Sequence, residues 1–322
     1  QIESALGSVF FSSGLAALTS VFLSLCEPGD EVLTSHCLFG GTLDLFDETI
    51  PKMGITLNYA DPTDPEALKA AITDKTRFIL LEAISNPKLE IPNIKRIVEV
   101  ANDANIPLVI DGTMASPILL NAKDLGVHIM VHSSTKYMTG NGGAVGGVVT
   151  DTGLYKWTNS SSAEIQKSVD KFKHFTFIER VRRHGIHNIG ATASPFSAYF
   201  AYIGLETMSV RVKQHCSNAL ALAQVLEANP KVRKVNYPGL ASHPQHDIAK
   251  EQYNGLFGGM LSFELQSKDA AYTFINSLSL ARNMANLGDT RTMVIHPEST
   301  IYLKRPADTT KLAGVNPELC RV

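Results

Sequence analysis

The chain has 322 residues, 44% of them hydrophobic and 19% charged, which is the balance of a soluble globular protein with room for one large domain and a smaller one. A formal net charge of -2 gives no electrostatic support to a nucleic-acid or acidic-membrane partner. No stretch approaches the ~18 consecutive apolar residues of a membrane span, and the first residues show no basic region or cleavage pattern of a secretory signal. In chain order, the first half alternates short apolar runs with amphipathic segments. Strands are expected over 9–11, 31–34, 56–59, 78–82, 107–111, 128–132 and 144–150, and helices over 15–25, 42–53, 65–72 and 94–105. This alternation predicts an α/β domain on a mostly parallel sheet, punctuated by turns at "EPGD", "SNP" and "NAKDLG". Residues 158–188 are polar and mixed in charge, and read as a loop plus a helix lying over the domain surface. A helical period then runs from 194 to 230, opened by a Ser-Pro cap signal and with a break expected near Gly204. Two further strand-like runs, "VRKVNYPGL" and "GGMLSFEL", and the helical "DAAYTFINSL" give an α+β pattern. The expected division is a large α/β domain at 1–190, followed by a connector helix and a smaller C-terminal α+β domain at 191–322. Residue 1 falls in what reads as a helical region and Val322 ends an apolar segment, so both ends read as cut.

Four segments carry chemistry. "SSGLAAL" at 12–18 places two serines and a glycine after a strand and at a helix start. Helix N-terminal amides favour an anion, especially phosphate, although a plain capped helix is the commoner meaning of such a segment. "PLVIDGT" ends a buried-looking strand with Asp111, where α/β proteins place ligands; a turn cap is the alternative. "SNP" puts Asn86 at the end of another strand. In "VHSSTKYMTGNGGAVGGVV", Lys136 sits among small hydroxyl residues and has no charged neighbour between His132 and Asp151. Pyridoxal 5'-phosphate accounts for all four segments. It needs a lysine for its Schiff base, an acid against its pyridine nitrogen, and hydroxyl and amide donors around its phosphate. A lysine buried away from other charges has a lowered pKa and is neutral enough to attack a carbonyl.

Other motifs are weaker. The four cysteines Cys26, Cys37, Cys216 and Cys320 are far apart with no CxxC pair, which fits reduced thiols in a cytoplasmic protein. "HPQH" and "RRHGIHN" have no carboxylate or cysteine at metal-ligand spacing, so no metal is expected. "GNGGAVGG" lacks the dinucleotide pattern, and "KFKHFTFIERVRR" reads as a solvated helix.

The segments "FSSGLAAL", "LFGGTLDLF", "EAISNPKLEIPNI", "VIDGTMASP", "NYPGL", "NLGDTRTMVIHPEST" and "AGVNPELCRV", with the lysine segment, occur in order over nearly the whole chain. Together they resemble the Cys/Met-metabolism family of pyridoxal-phosphate enzymes. That resemblance implies the fold type I transferase architecture. By motif, Lys136 would be the catalytic Schiff-base lysine and Asp111 the partner of the pyridine nitrogen. Ser13, Thr113, the amides of Gly14 and Leu15, and the hydroxyls of Ser133 and Thr135 would complete the cofactor site, with the phosphate held by the last four. Asn86 would lie near the ring hydroxyl and the substrate carboxylate, Asn286 would bind substrate, and Arg321 would grip the α-carboxylate as a bidentate partner. Phe39 stands where the family usually has a stacking tyrosine. It can stack but cannot hand over a proton, a task that falls to Lys136 or water. Gly41 replaces a cysteine common in methionine γ-lyases, and "DGT" replaces the common "DNT". The family's N-terminal Tyr-x-Arg segment, which reaches a neighbouring subunit's phosphate, is not among these residues. The implied activity is that of the O-acetylhomoserine sulfhydrylase branch: γ-replacement on O-acetyl-L-homoserine by a sulfur donor to give L-homocysteine. Methionine γ-lyase and cystathionine γ-synthase or lyase are the alternatives within the family, and an inactive binding protein on the same scaffold is the alternative of another class. The expected partners are the small-molecule ester, the sulfur donor and further copies of the chain in a dimer-of-dimers homotetramer.

Overall fold

The computed structural model describes residues 2–322. Seven strands form the main sheet: β1 (Gly7–Phe11), β2 (Glu31–Thr34), β3 (Thr56–Tyr59), β4 (Thr76–Glu82), β5 (Leu108–Asp111), β6 (Ile129–His132) and β7 (Gly147–Asp151). Their order is β1-β7-β6-β5-β4-β2-β3, and β7 alone runs opposite to the other six. The central strands are near-continuous apolar runs because both faces are covered. In β4, Phe78 and Leu80 pack into the cluster beside one face while Ile79 and Leu81 pack into the cluster beside the other. The intervening helices are α1 (Gly14–Leu25), α2 (Gly40–Glu48), α3 (Pro65–Ala70), α4 (Ile94–Asp103) and the short α5 (Ser116–Leu119). Helix α4 starts where the Asn93 side chain accepts from the Arg96 amide, a cap that leaves Ile94, Ile97, Val98 and Ala101 on one buried stripe.

The sequence expectations differ from the structure in four places. The helix expected over 42–53 stops at Glu48, and a separate 3-10 turn, Ile50–Met53, follows. Pro51 has no N–H to continue the ladder, and Gly54, at φ 74°, ends the turn. The region 158–188 is not merely a surface layer. After α6 (Ala163–Phe172), α7 (Thr176–Val181) enters the core; Phe177 is fully buried and stacks on Trp157 at 5.1 Å. Helix α8 (Pro195–Glu227) runs without a break through Gly204. A Cβ there would lie 2.1 Å from the Met138 carbonyl oxygen, so that glycine serves close packing. Residues 2–6 form turns and bends instead of helix, while Gln1 lies outside the described residues.

Helix α8 begins as its Ser-Pro signal predicts, with the Ser194 side chain accepting from the Phe196 amide at 3.2 Å. Its buried stripe is narrow: Ala201, Gly204, Met208, Val212, Cys216, Ala219 and Ala223. Beyond it lie β8 (Lys234–Asn236), α9 (His246–Gln252), β9 (Ser262–Glu264), α10 (Lys268–Ser277), the short parallel pair β10 (Arg282–Asn283) and β11 (Met293–Val294), α11 (Ala307–Leu312) and β12 (Leu319–Arg321). An antiparallel sheet of order β12-β9-β8 packs on a third apolar cluster that includes Ala219, Ala223, Phe263 and Ile275. The fold is therefore α/β, with a large mostly parallel sheet followed by a smaller α+β layer.

Candidate active site

The floor of the site is made by the C-terminal ends of β4, β5 and β6, where parallel strands leave their ligand crevice. Asp111 ends β5, and its Oδ1 accepts the Thr113 N–H at 2.8 Å. The Thr113 hydroxyl oxygen in turn accepts the Ser133 N–H at 2.8 Å, tying the turn after β5 to the turn after β6. Lys136 follows in that second turn, its N–H bonded to the Ser133 carbonyl at 3.2 Å. A side chain at Gly112 would press on the Met130 methyl and the His132 ring, at 2.4 and 2.6 Å from its Cβ. The departure from "DNT" thus makes room for His132, which pairs with Glu3 at 2.6 Å in a buried contact.

One flank is the start of α1. Ser13 is its N-cap: its hydroxyl accepts from the Ala16 amide at 3.0 Å, and its carbonyl from Ala17 at 3.0 Å. Of the first-turn donors that a helix cannot satisfy internally, Gly14 and Leu15 are left for an anion. Gly14 is required by proximity, since a Cβ there would lie 2.9 Å from the Ser133 Cβ. The glycine-rich tract after Lys136 has a related reason: a Cβ on Gly147 would lie 2.1 Å from the Ser13 carbonyl oxygen. Gly147 thus lets β7 pass the head of α1, whereas Gly140 and Gly142 have positive φ and lie against Arg211 and Asp289.

The walls come from remote segments. Phe39 precedes α2, and a Cβ on Gly41 would lie 2.7 Å from its ring, so Gly41 gives that ring its place. The Tyr302 hydroxyl donates between the carbonyls of Leu38 and Asn86, at 2.9 and 2.8 Å. Arg305 pairs with Asp44 and Asp47 of α2 at 2.8 and 2.9 Å. Arg321, on β12, donates to Asn86 Oδ1 at 3.2 Å and to the Asn286 carbonyl at 3.0 Å. The Asn286 side-chain oxygen accepts from Lys136 Nζ at 2.8 Å.

Every site residue expected from the sequence lines one cavity of about 240 Å³: Ser13, Gly14, Leu15, Phe39, Asn86, Asp111, Thr113, Ser133, Thr135, Lys136, Asn286 and Arg321. Burial, and after it the Arg321 charge, lower the Lys136 pKa to about 8, so a usable fraction of its amine is neutral near physiological pH. Burial lowers the Arg321 pKa to about 10, which leaves it cationic. Burial pushes the Asp111 carboxyl up, while its hydrogen bonds with Thr113 oppose the shift. A protonated ring nitrogen would supply the charge this carboxylate lacks. A lysine amine, a buried carboxyl, a helix start with free amides, and the hydroxyls of Ser133 and Thr135 form the donor set that pyridoxal phosphate requires.

Two contributors escape the sequence reading. Glu82 ends β4 opposite Asp111 and lines the same cavity; "FILLE" ends in a carboxylate just as "LVID" does, and that was the available signal. Tyr302 carries no local pattern at all. The remaining motifs go elsewhere: the His243 ring accepts from the Gln245 amide at 3.2 Å, and the His246 ring meets the Pro238 carbonyl at 2.8 Å. Among the described residues no three His, Cys, Asp or Glu side chains converge as metal ligands.

The whole chain, residues 1–322, matches the family of Cys/Met metabolism PLP-dependent enzymes. It is 35% identical over 340 residues to O-acetyl-L-homoserine sulfhydrylase of Leptospira meyeri, an alignment spanning 100% of this chain and 77% of that protein. It is likewise 35% identical over 334 residues to homocysteine synthase of Schizosaccharomyces pombe, spanning 100% and 78%. The fold superposes on O-acetylhomoserine sulfhydrylase from the methionine biosynthetic pathway of Wolinella succinogenes with a TM-score of 0.88 at 37% identity, covering 99% of this chain and 87% of that one. The chain belongs to the Cys/Met-metabolism family of enzymes that depend on pyridoxal phosphate.

Proposed function

We propose that this enzyme replaces the ester group at Cγ of O-acetyl-L-homoserine with a sulfur nucleophile, giving L-homocysteine. The observation that carries this reading is the direct bond from Lys136 Nζ to Asn286 beside Arg321, which sets an amine and a carboxylate-binding cation in one cavity. Pyridoxal phosphate, when bound, supplies an aldehyde that condenses with amines and a cationic ring that draws electrons from Cα. Asp111 would face the ring nitrogen. Gly14, Leu15, Ser133 and Thr135 would hold the phosphate, and Phe39 would cover a ring face. Arg321, held by Asn86 and by the Asn286 carbonyl, would fix the substrate α-carboxylate and so orient Cα toward Lys136. The Lys136 amine would take the proton from Cα and help move one at Cβ, general acid–base work worth roughly 10²–10⁴-fold. Phe39 has no proton to give, so that proton transfer falls to Lys136 or to water. Asn286 restrains that amine by a single hydrogen bond.

The oligomeric reading is a homotetramer built as a dimer of dimers. It is supported by the apolar side of α8, where Phe196, Tyr199 and Tyr202 are exposed by 76%, 60% and 63%, more than a lone surface helix usually shows. A cytoplasmic location is supported by four cysteines that are all unpaired and buried. No helix among the described residues is long and apolar enough to cross a membrane. The deciding assay supplies acetyl- or succinyl-homoserine with sulfide or with cysteine. Homocysteine formed from the acetyl ester and sulfide is the expected result. Rapid release of 2-oxobutanoate and ammonia from methionine, with no sulfur donor, would assign the lyase activity instead.

A further inference from the structure

Glu82 is a charged-type side chain with no use for its charge. It ends β4 and pairs in register with Asp111 at the end of β5. In a parallel sheet such partners project to the same face, about 5 Å apart at Cα. Glu82 is 7% exposed. Its Oε1 accepts the Phe39 N–H at 2.7 Å, while its Oε2 is buried with no partner among the described residues. The residue lines the cavity that Asp111, Lys136 and Arg321 also line.

The charged groups around it are all committed elsewhere. Lys136 donates to Asn286, and Arg321 donates to Asn86 and Asn286. His132, beyond Asp111, is paired with Glu3. The Tyr302 hydroxyl serves two carbonyls, and Arg305 serves Asp44 and Asp47. No cation forms an ion pair with Glu82 among the described residues, and its nearest like-signed neighbour is Asp111. Two carboxyls side by side without a counter-ion do not both ionise.

We propose that Glu82 is a positioning residue that works as a neutral carboxylic acid, accepting from Phe39 through Oε1 and keeping its proton on the buried, unpartnered Oε2. The pair then carries one negative charge, on Asp111, where the ring nitrogen needs it. Glu82 adds no second charge, and its Oε1 fixes the backbone that carries the Phe39 ring. Burial, and next the Asp111 charge, hold its carboxyl well above the usual carboxylate range against the pull of the Phe39 N–H, which it accepts, and of the nearby Asn86 N–H, which lies outside hydrogen-bond geometry. The proposal rests on the cofactor assignment of this cavity and is independent of which ester is the substrate.

The test uses the full chain loaded with pyridoxal phosphate at neutral pH. The infrared difference spectrum of wild type minus Glu82→Gln is expected to contain the C=O stretch of a protonated carboxyl. Carboxylate bands in its place would overturn the proposal. Cofactor affinity is read in parallel by titrating apoprotein and following the visible band. Glu82→Met is expected to lose roughly tenfold or more, and Glu82→Gln, whose amide oxygen still accepts the Phe39 N–H, to recover most of that loss. Equal losses in the two variants would overturn the proposal as well. If Glu82→Met does not fold, the infrared result on Glu82→Gln decides alone. Wild-type protein that binds no cofactor would sink the cavity assignment itself, and is distinguishable because no visible band would form.

Discussion

The floor and the walls of this cavity are built in different ways. The floor, from Asp111 to Thr113 and from Ser133 to Lys136, consists of short contiguous segments that leave neighbouring strands of one sheet and are tied by the Thr113 to Ser133 bond. The walls are assembled from Phe39, Asn86, Asn286 and Arg321, braced by Tyr302, and are held by single side-chain bonds such as Arg321 to Asn86, across 235 positions of sequence. A ladder-backed floor holds its groups rigidly and suits the cofactor's chemistry. A wall held by separate bonds suits recognition, because each bond can be tuned without moving the others. Damage to the floor should therefore appear in cofactor retention and kcat, and damage to the walls in KM.

The largest effect that would break this contrast is at Lys136. Lys136→Ala is expected to abolish the cofactor's visible band and to lower the γ-replacement rate by at least ~10²–10⁴-fold in a steady-state assay. Asp111→Ala removes the carboxylate opposite the ring nitrogen, and kcat should fall on the order of 10²–10³-fold with cofactor bound more weakly. A pure KM effect would move Asp111 from floor to wall. Arg321→Met should raise KM for the amino-acid ester and cost roughly 30-fold or more in kcat/KM, while cofactor titration of the apoprotein changes little.

A pH experiment sharpens the same division. Lys136 reacts only when neutral and its pKa lies at about 8. Cofactor capture by the apoprotein should therefore fall about tenfold per pH unit below that value and level off above it. Because the Arg321 charge is one cause of the lowering, Arg321→Met should move the bend to higher pH in stopped-flow traces. An unmoved bend would separate wall from floor electrostatically. The smallest effect is at Tyr302: Tyr302→Phe removes one buried donor and should cost about 1 kcal/mol of stability by thermal or denaturant unfolding, with a modest rise in KM.

The same division governs what the sequence made legible. The floor was readable because its residues are consecutive: a strand ending in Asp111, and a lysine among small hydroxyls, carry their meaning within a few positions. Most strand limits were readable for the same reason, since β2 and β3 follow directly from apolar runs between turn signals. Helix α8 was readable as a long helix, but Gly204 looked like a break because only the fold brings the Met138 carbonyl against it. The burial of Phe177 depends on Trp157 and α1, which a polar local composition conceals. Arg321 was found through the family resemblance, since alone it is one arginine near an apolar end. Tyr302 was missed because its two carbonyl partners lie over 200 positions away.

The central claim is that the amine at position 136 forms the imine with pyridoxal phosphate. Borohydride reduction of the loaded protein followed by peptide mapping tests it most directly. A single pyridoxyl adduct on the peptide containing Lys136 is the predicted result, and an adduct on a different lysine, or none, would contradict the account.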